Sequence, residues 1–483
     1  MEPPKQYSNL RQQAIKGVIW TAIDIWGRQV ISFGVFFILA RILGPKAFGL
    51  IALSSLLLNL LQVFLDQGFS QAIIQREKLE PEHLDTAFWT NLGISGILTI
   101  LTIACSSLVA NLFKEPQLAS IICWLSLNLL LNAFNSVQDT IFQRQLAFKI
   151  LATRSLVTTV TGGVVGITMS FMGYGVWSLV GQQLSISLVR ILIIWKISEW
   201  RPKFRFSPRH FKELFSFGVN IMGISLFNFF TRRSDDFLIG YFLGSTALGY
   251  YTVAYRILSI LTDLLTSVIS KVSLPTFARL QQEPERLKNA LYQAIELSSL
   301  ITFPGFLATV ALAPEIVQVV FGDKWTPSIP VIQVLNLIGI LYAYFYFNGS
   351  VIMALGKPSW KLALDGVQAI CNVISFAIAV QWGIVAVAAA YVIRAYLMSP
   401  VTIWVVWKLI RIDVPTYLRQ GAAPLAATGI MLLAIFGIKY FLSHLISYSA
   451  ILALATLVGL AVYVLSIFLI APKLFWRVIN IAR

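Results

Sequence analysis

The residues of this sequence best placed to do chemistry are charged side chains standing inside long apolar runs. Asp24 and Arg28 lie four positions apart in the first run, and Arg232, Arg233, Asp235 and Asp236 cluster in another. Arg190, Arg256 and Arg394 have no acidic residue three or four positions away. A charge near the centre of a bilayer costs roughly 2.5–3.5 kcal/mol on insertion scales, so each one requires a partner, water or a function. The first two groups have i,i+3 or i,i+4 partners and can neutralise themselves as ion pairs facing a helix-bundle interior. The lone arginines must be met by another helix, by water or by a ligand. A guanidinium stays charged when buried, and its planar fork matches phosphate oxygens, which points to an anion path. Arg256 and Arg394 fall about ten residues into their runs, near the midplane. Arg190 lies closer to a run end and can snorkel. Arg28, Arg256 and Arg394 are therefore the leading cavity candidates, with Arg190, Asp24, Arg232, Arg233 and Asp236 behind them.

A second chemistry is carried by Tyr342, Tyr344, Tyr346 and Asn348, set between Phe345 and Phe347 deep in one run. Such rings stack on sugars, although an aromatic stripe also serves plain helix packing. Tyr250 and Tyr251 stand at a run start and read as interfacial belt residues.

The elements that must hold these residues are membrane helices. Of 483 residues, 57% are hydrophobic and only 12% charged, far from soluble usage. Lipid offers backbone groups no partners, so the fold is expected to be an all-α integral membrane protein. Apolar runs near 17–41, 48–74, 86–112, 117–142, 155–171, 175–195, 214–240, 246–272, 289–313, 328–353, 362–379, 384–407, 422–441 and 447–471 give about fourteen transmembrane helices. With that count, the Lys and Arg at or beyond run ends divide twenty-five to five between alternate sides. The positive-inside rule then puts both termini in the cytoplasm. The net charge of +16 sits in short loops and not on a soluble face, which argues against nucleic acid. Cys105, Cys123 and Cys371 read as small core residues, and His83, His210 and His444 as too dispersed to share a metal. No phosphate loop of the Gly-x-x-x-x-Gly-Lys-Ser/Thr type occurs, so the chain is not expected to hydrolyse ATP by that route. The expectation is a transporter and not an enzyme, with no cofactor. The first run has no cleavage site and reads as a retained helix.

The most basic loop, 197–213, carries Arg201, Lys203, Arg205 and Arg209 between aromatics and is expected to lie on anionic headgroups. It divides the chain into lobes 1–196 and 214–409, with 422–471 as an extra pair of helices. The lobes read as a parallel repeat. Leu43-Gly44-Pro45-Lys46-Ala47-Phe48-Gly49-Leu50 returns 200 positions later as Leu243-Gly244-Ser245-Thr246-Ala247-Leu248-Gly249-Tyr250, and Gly17 pairs with Gly218 and Gly175 with Gly383 at similar offsets. Two equivalent six-helix lobes around a central cavity are transporter architecture.

These residues resemble the polysaccharide and lipopolysaccharide flippases of the multidrug, oligosaccharidyl-lipid and polysaccharide exporter superfamily. The resemblance rests on Ala40 to Pro45 with Phe48-Gly49, on Asp66 to Gln75, on Asp236 to Gly240 continuing through Leu248 to Arg256, and on Ala354 to Pro358. It implies alternating access of an undecaprenyl-diphosphate-linked oligosaccharide, carried from the cytoplasmic to the outer leaflet of a bacterial cytoplasmic membrane. It further implies a lipid-tail groove beside 422–471, and lipids, a polysaccharide polymerase and glycosyltransferases as partners. A multidrug exporter of the same superfamily is the alternative, but arginines with no acid nearby on their own helix favour an anionic substrate. A membrane glycosyltransferase or polymerase would need a larger outer domain than these short loops provide.

Overall fold

The computed structural model describes the backbone of residues 5–65, 69–76 and 79–482, and their side chains except at 5–16, 18, 214, 216–222, 224, 228, 264–272, 478–479 and 481–482. All regular structure among the described residues is helical: α1 (Lys5–Ile42), α2 (Pro45–Leu65), α3 (Phe69–Gln75), α4 (Pro81–Leu112), α5 (Gln117–Arg144), α6 (Phe148–Phe171), α7 (Trp177–Ile197), α8 (Pro208–Arg279), α9 (Pro284–Ile316), α10 (Ile329–Asn336), α11 (Gly339–Phe345), α12 (Asn348–Ala354), α13 (Pro358–Ala379), α14 (Ile384–Ile410), α15 (Val414–Arg419), α16 (Ala422–Leu442), α17 (Tyr448–Ile470) and α18 (Pro472–Ala482). The chain is a multi-pass membrane protein. Among the described residues, thirteen helical runs are long and apolar enough to cross a bilayer, against the fourteen read from sequence. The difference lies in α8, which takes in both 214–240 and 246–272 but leaves helical geometry at Gly244, where φ is 83° and ψ 176°. Its apolar part, 225–263, is 39 residues long. At about 1.5 Å per residue that is nearly twice a hydrocarbon thickness of about 30 Å.

The chain forms two compact units, Met1–Gly249 and Tyr250–Arg483. The division therefore falls inside α8, beyond the expected linker at 197–213. The reason is packing. The linker and the first part of α8 are bound to the first unit: Ser245 Oγ donates to the Glu115 carboxylate, Phe237 meets Phe113 edge-on at 5.8 Å, and Lys46 pairs with Glu115 at 3.3 Å. In that unit α4 packs on α5, α6 on α7, α1 on α6, and α5 on both α2 and α7. The two copies of the repeated phrase meet here reciprocally. A Cβ on Gly49 would lie 1.7 Å from the Ser245 carbonyl oxygen, and one on Gly249 would lie 1.9 Å from that of Pro45. Pro45 and Ser245 are themselves equivalent positions in the repeat. Gly175 and Gly383, the glycines before α7 and α14, both adopt left-handed φ, 57° and 95°.

In the second unit α9 is the hub, packed by α10, α11, α16 and α17. The C-terminal pair α16 and α17 is fastened to it by Ala427, Met431, Ile435 and Tyr463 against Ala311 and Leu312. Lys439 Nζ donates to the Ala311 carbonyl at 2.7 Å and pairs with Glu315 at 2.9 Å, and Tyr463 Oη donates to the Leu300 carbonyl. Tyr251, expected in an interfacial belt, is fully buried and stacked on Tyr255. The start of its run is covered by protein, with Tyr250 edge-on to Trp325. The three cysteines are free, as the sequence implies.

The reciprocal glycine contact has a measurable consequence. Gly49→Ala or Gly249→Ala puts a methyl onto a backbone oxygen that cannot step aside, so both are expected to lower the yield of monodisperse protein in detergent. Gly44→Ala meets open space and is expected to leave it unchanged. Size-exclusion profiles of the three variants check this; equal yields would show that the contact is not a packing constraint.

Candidate functional site

The sequence α10–α12 begins as one membrane run and is broken twice, at Leu337–Ile338 and at Tyr346–Phe347. Non-helical backbone at membrane depth is tolerated where it is covered by protein or lines a wet cavity. Here it borders a cavity of about 500 Å³ in the second unit, lined by Tyr342, Tyr346, Asn348, Lys361, Tyr391 and Arg394 among others. Tyr342 Oη lies 3.1 Å from Tyr391 Oη, and the Arg394 guanidinium stands 5.7 Å from the centre of the Tyr391 ring. Arg394 sits near the middle of α14, its Nε is buried with no hydrogen-bond partner, and its electrostatic neighbours are Tyr391, Cys371 and Tyr342, none an acid. Lys361 is held by Asp365 at 2.7 Å, so it contributes little free charge. Four residues singled out in the sequence thus come together: Tyr342, Tyr346, Asn348 and Arg394. Both ends of the Asn348 carboxamide face Tyr417 Oη, its nitrogen at 3.2 Å and its oxygen at 3.3 Å.

Tyr344 does not join them, which corrects its place among the sugar-facing candidates. Tyr342 and Tyr346 are one helical turn apart and share a face, whereas Tyr344 between them turns to α15 and donates to the Leu418 carbonyl at 2.8 Å. Arg256 does not line this cavity either. It lies in electrostatic range of Asp263, two turns along α8, a spacing that an i,i+3 or i,i+4 search passes over. Arg28 pairs with Asp24 at 2.8 Å and Arg233 with Asp236 at 2.8 Å, the local neutralisation read from sequence; Arg232 is exposed.

Arg190 lies at a different place, a polar pocket of about 280 Å³ between α2, α5 and α7 of the first unit. Its Nε is buried without a hydrogen-bond partner. It lies in electrostatic range of Arg154, Asp139, Arg28 and Asp24, two acids among the four. Arg154, counted from sequence as a loop cation, is buried in α6 and ion-paired to Asp139. Sequence reading missed this pocket because it searched for charge. The available signal was uncharged: Asn128, Asn132 and Asn135 fall at i, i+4 and i+7, one polar stripe along α5.

At the end of α4 the structure overturns the reading of dispersed histidines. His83 and His210 stand 4.2 Å apart, and with Glu80 their ligand atoms lie within 4.8 Å of one another. The group is nevertheless poorly suited to a metal. Both His83 nitrogens face donors, Nδ1 the Glu80 backbone N–H at 3.2 Å and Nε2 the Arg76 guanidinium at 2.7 Å, so an internal cation stands where an ion would bind. Arg76 is fixed by Glu213 at 2.7 Å, and Arg209 holds the other Glu213 oxygen. The linker is tied down around this cluster by Lys203 N to Asp85 Oδ1, Ser207 N to Thr86 Oγ1 and Trp89 Nε1 to the Lys203 carbonyl. The expected headgroup elbow is thus docked on protein through its backbone, while Phe204 and Phe206 stay exposed.

With this geometry in hand, the comparisons with known proteins identify the class. The chain belongs to the polysaccharide biosynthesis protein family, whose profile matches residues 38–330. It is 26% identical to the teichuronic acid biosynthesis protein TuaB of Bacillus subtilis (strain 168) over 440 residues, covering 90% of this chain and 91% of that one. It is 26% identical to the succinoglycan biosynthesis transport protein ExoT of Rhizobium meliloti (strain 1021), covering 97% and 95%. It is also 27% identical to the lipopolysaccharide biosynthesis protein WzxC of Escherichia coli (strain K12), covering 72% and 71%. In fold it resembles the lipid II flippase MurJ in an inward closed conformation, with a TM-score of 0.75 over 95% of this chain and 99% of that one at 14% identity. An inward-facing multidrug resistance MATE family transporter of the MOP superfamily follows at 0.60, over 82% and 99% at 16% identity.

The linker cluster makes a pH-dependent prediction. Hydrogen bonds from Arg76 and Arg209 hold the Glu213 carboxyl down to about 2, below its ordinary value near 4.5. Because the folded value is depressed, the stabilisation is fully present above the unfolded value and is lost as pH falls through about 2. Glu213→Gln is therefore expected to lower the melting temperature at pH 7, with the gap to wild type narrowing only below about pH 4.5. A gap that is constant from pH 7 to pH 3 would contradict it.

Proposed function

We propose that this protein is a flippase that carries an undecaprenyl-diphosphate-linked oligosaccharide from the cytoplasmic to the outer leaflet for surface polysaccharide synthesis. The observation that carries the reading is Arg394: a guanidinium buried at mid-membrane, with no acid among its electrostatic neighbours, in a cavity that also presents Tyr342, Tyr346 and Asn348. A permanent cation kept at that depth is stabilised by an anion that visits it, and a diphosphate accepts two parallel N–H bonds from one guanidinium. The phenol rings and the amide offer a stacking face and hydrogen bonds to the sugar. Membership of a polysaccharide biosynthesis family and the flippase fold agree with this.

The same reading takes the protein to be a non-catalytic transporter of the bacterial cytoplasmic membrane, working by alternating access. We take both termini to be cytoplasmic, on the charge asymmetry of the loops. Lobes 1–196 and 214–409, linked by 197–213, are taken as copies of one ancestral unit. The reciprocal Gly49 and Gly249 contacts and the left-handed Gly175 and Gly383 support duplication. The pair 422–471 would border the lipid tail, and a polymerase and glycosyltransferases would act beside the protein. A multidrug exporter of organic cations is the weaker reading, since the acid that lines this cavity, Asp365, is already paired with Lys361, and Arg394 is the charge left to meet a cargo.

Arg394→Gln is expected to abolish glycan export in cells while the amount of membrane-inserted protein stays near wild type. A structural arginine would instead lose protein and activity in proportion, because truncating it would disturb packing. Immunoblots of membranes beside surface-glycan display separate the two. Wild-type export by the variant would overturn the assignment.

A further inference from the structure

We infer that the pocket between α2, α5 and α7 is a sugar-binding subsite that reads the uncharged sugar residue next to the diphosphate, with Arg190 holding the phosphate. The inference rests on the flippase reading and adds a second site to it. Five carboxamides from three helices, Asn59, Gln62, Asn128, Asn132 and Gln183, converge with Arg190 on one pocket. No acidic residue lines it. That composition is costly for packing alone, because an amide taken from water without a partner loses its hydration and gains nothing in return. In the pocket the Asn128 carbonyl oxygen and Arg190 Nε are both buried and unpartnered, and here an unbonded amide stands beside an unbonded guanidinium nitrogen on one cavity.

The chemistry of the missing partner follows from the donors and acceptors present. A carboxamide offers an acceptor oxygen and a donor nitrogen side by side, which matches vicinal hydroxyls, each both donor and acceptor. Water alone would satisfy the amides but not the guanidinium as well as an anion does. The ligand class that answers both is a hydroxyl-rich ring attached to a phosphate. A volume of about 280 Å³, near the lower end of the roughly 300–1,000 Å³ typical of ligand sites, suits one sugar residue and not a whole repeat unit. Without carboxylates, the pocket gives an amino sugar cation no advantage, so the favoured residue is neutral.

The test uses purified full-length protein and two lipids: the prenyl-diphosphate-linked saccharide extracted from cells making the polysaccharide, and bare undecaprenyl diphosphate. Wild type is expected to bind the saccharide-bearing lipid about tenfold more tightly, a gain of one or two amide hydrogen bonds. Asn132→Leu on α5 and Gln183→Leu on α7 are each expected to bring that ratio toward one while bare lipid binds as in wild type, which also reports a folded protein. Arg190→Gln is expected to weaken both lipids about equally, by about tenfold. If the ratio survives in both amide variants, or if bare lipid loses as much as the saccharide form, the subsite is overturned and the flippase reading stands. If wild type binds neither lipid, the flippase reading itself falls.

Discussion

A polar side chain inside a bilayer must find its solvation in the protein, in trapped water or in whatever the protein carries, and this constraint sorts the charges described within the helices. Arg28, Arg233, Arg154 and Lys439 are answered by carboxylates, on their own helix or on a neighbouring one. Arg190 and Arg394 form no such ion pair among the described residues; each lines a cavity and, like Arg154, leaves a buried Nε unbonded. The pairs behave as structure: removing one member strands the other, at a cost of several kcal/mol. The two exceptions are where an anionic cargo has something to offer.

The helices that carry these residues are shaped by the same need. Helical geometry is interrupted at the two breaks between α10 and α12, beside the second unit's cavity, and at Gly244 within α8. Elsewhere small residues let helices approach closely, and Gly49 and Gly249 bring two backbones to a distance that admits no Cβ. That contact joins equivalent positions of the repeated phrase.

Much of this was legible in the sequence, for physical reasons. Apolar run length fixes membrane helices because a bilayer has one thickness, and the only discrepancy in count arises where Gly244 interrupts a helix instead of ending it. The charges could be sorted because ion pairs on one helix follow its period, as Asp24 with Arg28 does. What could not be read was anything depending on which helices are neighbours. Arg154 looked like a loop cation until Asp139 appeared against it, and His83 and His210, more than a hundred positions apart, proved to be in contact. Tyr344 was misjudged because a stripe of alternating aromatics says nothing of which face is free. The amide pocket was missed for a different reason: asparagine and glutamine cost less than charges in lipid, so a search for expensive residues passes over them.

The account's central claim is that the protein moves a lipid bearing a diphosphate and a sugar, and that this moiety provides what Arg394 and Arg190 lack. The most direct measurement is translocation in liposomes containing only the purified protein and a fluorescent prenyl-diphosphate-linked saccharide, followed by its accessibility to an external, membrane-impermeant quencher. The account predicts protein-dependent exchange between leaflets for the saccharide diphosphate and little for a prenyl alcohol carrying the same sugar without phosphate. Equal movement of both lipids, or none of either, would contradict it.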